Sequence, residues 1–168
     1  DDTILDFHKA ERLAINKTLR DFGLEPTEEV LGRYHVINRW HWEQLELGKM
    51  TRKDVQWKRF DGLFREFGVE ADPHACAVRY MENLAVGHYF LPGAEDALKS
   101  LSPKYKLYLA SNGTAKVQAG RLKSANISHY FEEIFVSQEI GANKPDRVYF
   151  DRCAERIPGY DPQKAMIV

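Results

Sequence analysis

Three separated stretches of this chain carry acid, hydroxyl and amine groups of the kinds that hold and protonate an anion. Asp1-Asp2-Thr3 supplies two carboxyls and a hydroxyl. Ser111-Asn112-Gly113 follows an apolar run and precedes a predicted helix, so it offers a hydroxyl and backbone N–H groups where an anion is favoured. Lys144-Pro145 follows Gly141-Ala142-Asn143 and precedes another predicted helix, which places an ammonium within reach of the same kind of anion. At about 4 Å and an effective dielectric near 20, one such contact is worth roughly 4 kcal/mol before desolvation. Each stretch alone has a plainer reading. Terminal acids are solvated, Asn-Gly favours turns, and a lysine beside a helix-starting proline is ordinary surface charge. Their order and their places at element boundaries set the three apart.

The elements that would position them fall into two textures. From residue 8 to 88 the pattern is helical throughout. A first helix spans 8–22, with Leu13, Ile15, Leu19 and Phe22 near helical spacing and Gly23 as its stop. Thr27 is a candidate N-cap for a second helix to about Leu47, with Glu28 and Glu29 near its positive end. Thr51 with Asp54 resembles a capping box opening a third, which ends near Phe67-Gly68. Asp72-Pro73 reads as N-cap and N1 proline of a fourth, ending near Gly87. After Leu91-Pro92-Gly93 helices and apolar runs alternate: helix 94–101, strand 105–110, helix 115–124, strand 134–136, helix 148–156 and strand 165–168. Such alternation predicts a doubly wound parallel α/β sheet, with ligands at the carboxyl ends of its strands.

Composition excludes several classes. The 168 residues suffice for one core domain plus an insert. They are 43% hydrophobic and 29% charged, as a soluble globular chain should be. A formal net charge of −1 gives no reason to expect a nucleic acid or an acidic membrane as partner. No apolar run has membrane-spanning length and no signal-peptide pattern opens the chain, so a cytoplasmic location is expected. Cys76 and Cys153 stand singly, without metal or disulfide spacing, and are expected to be buried, reduced thiols.

With these residues in order, the chain resembles the haloacid dehalogenase-like hydrolases over essentially its whole length. Asp1-Asp2-Thr3 matches the second half of that superfamily's D-x-D-x-T first motif, Ser111-Asn112 its second motif and Lys144-Pro145 its third. The resemblance implies a Rossmann-like core, 1–7 and 89–168, carrying an inserted all-helical cap, 8–88. It implies a mechanism in which a carboxylate two residues before Asp1 attacks phosphorus and water then hydrolyses the aspartyl-phosphate. Asp1 would be the general acid and then base. Ser111, the backbone of Asn112 and Gly113, and Lys144 would hold the phosphoryl oxygens. Mg²⁺ would be bound by the nucleophile, the backbone carbonyl of Asp1 and an acidic loop following Val168. The first-motif nucleophile and the fourth motif are both missing, so the expectation is an internal piece of a longer protein, inactive as written. An acid at Asp1 favours phosphate esters over carbon–halogen bonds, because an alkoxide needs a proton to leave and a halide does not. A phosphomutase stays open.

More narrowly, Asp1-Asp2-Thr3-Ile4-Leu5-Asp6-Phe7, Leu47-Gly48-Lys49-Met50-Thr51, Val36-Ile37-Asn38 with Trp42, and Arg59-Phe60 resemble a bacterial subgroup of pyrimidine nucleoside-monophosphate phosphatases. In the cap, Trp42 could stack on a base and Asn38, four residues away on the same helix face, could read its edge, with Arg59 nearby. The plainer alternative is that Trp40, Trp42 and Trp57 pack the helical bundle and Arg59 pairs with a cap carboxylate. The expected partner is a small phosphorylated metabolite, a nucleotide foremost, taken by a monomer or homodimer. A sugar-phosphate or phosphoglycolate phosphatase, and a noncatalytic binding module on the same scaffold, are the alternatives.

Overall fold

The computed structural model describes residues 2–168. Asp1 lies outside the described residues, and so does every expectation placed on it. The chain divides into two compact units, Glu11–Leu84 and the segments on either side of it.

The helical unit is built from α1 (Phe7–Asp21), which begins in the other unit, and from α2 (Glu28–Glu46), α3 (Arg52–Phe67) and α4 (Pro73–Ala85). Its helix boundaries have local causes. The Thr27 hydroxyl accepts the Val30 N–H at the start of α2. Thr51 and Asp54 bond each other's backbone in a complete capping box at the start of α3. The Asp72 carboxylate accepts the His74 N–H beside Pro73. Gly68, in the left-handed conformation at φ 64°, ends α3 where a side chain would be strained. Helix α4 ends at Ala85, two residues short of the expected Gly87. The buried stripes follow helical spacing: Ala14, Ile15, Thr18 and Leu19 on α1, and Val55, Arg59, Phe60, Leu63 and Phe64 on α3. Leu13, expected on the apolar face of α1, is instead 43% exposed. Thr18 takes a core position by donating to Ala14 O at 2.7 Å and accepting from Asn83 at 3.0 Å.

The other unit holds α5 (Ala94–Leu101), β1 (Leu107–Ser111), α6 (Ala115–Ser124), β2 (Phe131–Val136), α7 (Ser137–Ile140) and α8 (Arg147–Arg156). Strands β1 and β2 pair in parallel, Leu109 opposite Ile134 and Ser111 opposite Val136, and α6 makes the crossover. An irregularity between Leu107 and Tyr108 sets Leu107 opposite Phe131 and Tyr108 opposite Glu133. The extra residue, Glu132, lets Phe131 and Ile134 pack in one cluster although they are three apart. The sheet is covered on both faces. Leu98 of α5 and Leu122 of α6 cluster with Leu107, Leu109 and Ile134, whereas Ile140, Tyr149 and Cys153 of α7 and α8 cluster with Tyr108 and Phe135. Helices on both faces of a parallel pair give the Rossmann-like α/β arrangement.

One sequence expectation fails here. The apolar run 165–168 forms no strand; Met166, Ile167 and Val168 are 86%, 77% and 91% exposed. An apolar run becomes a strand only when a neighbour takes its backbone bonds, and these residues have no ladder partner among the described residues. The helix expected over 148–156 is present as α8 from Arg147, where the Asp146 carboxylate caps it by accepting the Val148 N–H at 2.9 Å. Both cysteines are buried and free, as their spacing suggested. No helix of the described residues is long and apolar enough to cross a membrane.

Candidate active site

Strand β1 delivers Ser111 at its carboxyl end, and the side chain is buried at 3% exposure. Its Oγ accepts the Gly113 N–H at 3.1 Å and the Gln118 Nε2–H at 2.6 Å. The loop turns straight into α6 without a side-chain cap bond from Thr114; instead Gln138 Oε1 accepts the Ala115 N–H at 3.0 Å. Gly113 matters here by proximity rather than by φ, since any side chain there would displace Gln118 from its present place. A Cβ there would stand 2.6 Å from Gln118 Nε2 and 2.7 Å from its Cγ.

The loop after β2 and α7 brings Lys144 to the same strand end. Asn112 and Lys144 are tied reciprocally: Asn112 Nδ2 donates to Lys144 O at 2.8 Å, and the Lys144 N–H donates to Asn112 Oδ1 at 2.7 Å. The Lys144 side chain then runs back to β1, where Nζ donates to Ala110 O at 2.9 Å. The Lys144–Pro145 peptide is cis. Behind this loop the buried Tyr149 hydroxyl donates to Phe135 O at 2.8 Å; burial raises its pKa, so it stays a neutral donor. Ser111, Asn112, Gly113 and Lys144 therefore share one end of the parallel pair. The sequence reading used Asn112 only through its backbone, and its amide proves to be the tie between the two loops.

The carboxylates of the first-motif segment are partly committed to helix α1. Asp2, at φ 59°, accepts the Phe7 N–H at 2.8 Å and stands 3.6 Å from His8 Nε2. Asp6 accepts the Lys9 N–H at 2.8 Å. The segment is pinned to 89–91 by Asp6 N–H to Tyr89 O at 2.7 Å and Leu91 N–H to Ile4 O at 3.0 Å. Among the described residues no group of three or more His, Cys, Asp or Glu side chains could hold a metal ion. No chemical step is routed through a metal ion.

In the helical unit Asn38, Trp42 and Arg59 come together as a separate group. Asn38 Oδ1 accepts from Trp42 Nε1 at 3.1 Å and from Arg59 Nη1 at 2.8 Å. Arg59 is 4% exposed, its guanidinium 4.7 Å from the Tyr80 ring centre and 5.1 Å from that of Phe60. Among the described residues it pairs with no carboxylate, contrary to the plainer expectation, and its Nε is buried without a hydrogen-bond partner. Burial raises the pKa of Tyr34 and Tyr80, with the nearby Arg59 charge opposing the rise. Arg52 lies 5.6 Å over Trp42. Trp57 stacks on His74 at 4.3 Å. Trp40 is 52% exposed with its edge against His41, so it does not pack the bundle as expected.

Sequence reasoning missed Gln118 and Gln138. For Gln118 a signal existed: it lies in the second turn of a helix that starts directly after Ser-Asn-Gly, and it is the residue that Gly113 makes room for. Gln138 sits on α7, four residues long and without a periodic pattern to announce it.

The sequence profile of the haloacid dehalogenase-like hydrolases matches residues 1–168. The putative HAD-hydrolase YfnB of Bacillus subtilis is 37% identical over all of this chain and 72% of its own length. The pyrimidine 5'-nucleotidase PynA of Streptococcus pneumoniae is 34% identical over all of this chain and 71% of its own length. The crystal structure of YfnB bound to magnesium superposes with a TM-score of 0.88, covering 96% of this chain and 72% of that one.

Proposed function

The chain belongs to the haloacid dehalogenase-like hydrolases, and from that membership we propose that it carries the site of a phosphomonoester hydrolase acting on small metabolites, pyrimidine nucleoside monophosphates foremost. The observation that carries this reading is the joined strand-end pair of loops, in which Ser111 and the backbone-anchored Lys144 stand at one end of the parallel strands. A hydroxyl and an ammonium so fixed suit a transferring phosphoryl group, where positioning and charge stabilisation supply most of the catalysis.

The proposed chemistry proceeds in two displacements. A carboxylate two residues ahead of Asp1, outside this sequence, attacks phosphorus and the ester P–O bond breaks. Asp1 gives its proton to the departing alkoxide. Water then attacks the aspartyl-phosphate, Asp1 takes the water's proton, and inorganic phosphate and the free carboxylate are released. Ser111 donates to a phosphoryl oxygen, and Lys144 neutralises phosphoryl charge with its remaining ammonium protons. Mg²⁺ is the cofactor this reading calls for, where it would neutralise phosphoryl charge; Asp1, whose backbone carbonyl is the ligand proposed from this chain, lies outside the described residues.

For the base, the proposed readers are Asn38, Trp42 and Arg59 of the segment 8–88, read as a cap. Asn38 Oδ1 is occupied by two donors, so its amide N–H₂ is the edge left to present to a substrate carbonyl. The relative PynA, a pyrimidine 5'-nucleotidase by name, supports this substrate class. The test is phosphate release by the full-length protein, with Mg²⁺ and with EDTA, from dUMP, dTMP, UMP, AMP, phosphoglycolate and glucose 6-phosphate. Mg²⁺-dependent release concentrated on the pyrimidine nucleotides is expected. Release concentrated on phosphoglycolate or glucose 6-phosphate would keep the chemistry and discard the base readers.

A further inference from the structure

The Ser111 hydroxyl sits in an asymmetric environment. Two N–H groups point at its oxygen, from Gly113 at 3.1 Å and from Gln118 at 2.6 Å. A serine hydroxyl has one proton to give and two lone pairs to receive. With both lone pairs taken, the proton is the only hydrogen-bonding capacity left, and the oxygen cannot turn to accept from elsewhere. Ser111 and Gln118 are buried, at 3% and 6% exposure, so water does not compete for these bonds. The arrangement is tight by construction. Gly113 brings its N–H to Oγ, and its missing side chain is what lets the Gln118 amide approach, since a Cβ there would stand 2.6 Å from Nε2. Gln118 belongs to α6, whose first turn is bonded through Ala115 to Gln138, so its amide is carried on a fixed element.

We propose that Gln118 is a positioning residue for phosphate binding: by donating to Ser111 Oγ together with the Gly113 N–H, it forces the serine proton outward as a donor to a phosphoryl oxygen. The inference rests on the phosphatase reading of the same strand end. It reaches beyond that reading because it gives the buried glutamine a function exerted through another residue. The transition state places more charge on the phosphoryl oxygens than the ground state does, so an oriented donor lowers the barrier as well as aiding binding.

The test is a double-mutant cycle in the full-length protein, read as kcat/KM on a phosphate monoester and as the inhibition constant of inorganic phosphate. Ser111→Ala is expected to lower kcat/KM about 10- to 100-fold, the worth of a hydrogen bond to a charged partner. Gln118→Leu is expected to lose about 10-fold and to weaken inhibition by inorganic phosphate. In the Ser111→Ala background Gln118→Leu should cost nothing further, because its effect passes through the missing hydroxyl. Gln118→Glu preserves shape but offers a carboxylate that takes the serine proton, so it should lose at least as much as Gln118→Leu while melting within a few degrees of the parent. That variant decides the matter if the leucine variant fails to fold. Independent, multiplying losses from Ser111→Ala and Gln118→Leu, or a fully active Gln118→Glu, would overturn the inference while leaving the phosphatase reading standing. Failure of the unsubstituted protein to release phosphate from any ester would overturn both.

Discussion

Ser111, Asn112 and Lys144 take several of their hydrogen bonds from main chain, whereas Asn38, Trp42 and Arg59 take theirs from one another. Asn112 is bonded to the Lys144 backbone, Lys144 Nζ to Ala110 O, and Ser111 Oγ to the Gly113 N–H. In the helical unit one amide oxygen, Asn38 Oδ1, serves both an indole and a guanidinium. The difference has a physical consequence. Groups held by backbone at the ends of paired strands keep their positions when a neighbouring side chain is replaced, the Ser111–Gln118 pair being the side-chain coupling within this group. Groups that satisfy each other are coupled, and removing one leaves a buried partner unpaired. The strand-end group should therefore answer mutation with lost rate. The helical group should answer with lost stability and altered substrate ranking.

That contrast can be broken or sharpened by substitution. The largest effect is expected from Asp1→Asn in the full-length protein: turnover should fall about 10²- to 10⁴-fold with an unchanged melting curve, and near-normal turnover would remove Asp1 as acid and base. Lys144→Ala should lower kcat about 10²- to 10³-fold, the usual cost of one donor to a developing charge, with a modest change in urea midpoint. Arg59→Ala should reverse the pattern. It removes the ring contacts and the bond to Asn38, and a loss of about 2–4 kcal/mol in urea unfolding is expected. A fully stable Arg59→Ala protein would show that the group is not coupled as described. Trp42→Phe keeps an aromatic face but frees half of Asn38 Oδ1, so it should shift the ratio of pyrimidine nucleotide to aryl phosphate turnover only a few-fold, by roughly 1 kcal/mol.

The smallest effect is alkaline. Burial lifts the Cys76 thiol from 9.0 to about 12 and raises Tyr34 and Tyr80. The unfolded chain gives up these protons first, so their contribution to stability is complete below pH 9 and declines as pH rises toward 12. Urea midpoints at pH 8 and pH 10.5 should differ in that direction, and Cys76→Ala should remove part of the slope, on the order of 1 kcal/mol. A midpoint that does not move between these pH values would contradict the assignment.

The helical unit was legible from local caps at Thr27, Thr51 and Asp72, and the α/β class from apolar runs separated by helical periods after residue 91. The ends of the strands were less so. Strand β2 begins at Phe131, not Ile134, because Glu132 is absorbed by an irregular register and Glu133 lies opposite Tyr108; a polar pair at a sheet edge leaves no hydrophobic trace. The run 165–168 carries the strand composition without the neighbour that would make it one. At the candidate site, Ser111 was legible from its place after an apolar run and Lys144 from its place before a predicted helix, though each became a site candidate only through the order of the three stretches. The reciprocal bond between Asn112 and Lys144 joins residues 32 apart and has no local signature. Asn38 and Trp42 were legible as an i, i+4 pair, but the contribution of Arg59 from another helix depends on how α2 and α3 pack.

The most direct measurement is kcat/KM of the full-length protein and two variants, Ser111→Ala and Asn38→Ala, on dUMP and on p-nitrophenyl phosphate, which carries no nucleobase. If the strand end holds the phosphoryl group and the helical group reads the base, Ser111→Ala lowers both substrates in equal proportion and Asn38→Ala lowers dUMP alone. Equal loss on both substrates in Asn38→Ala, or full activity in Ser111→Ala, would contradict that division.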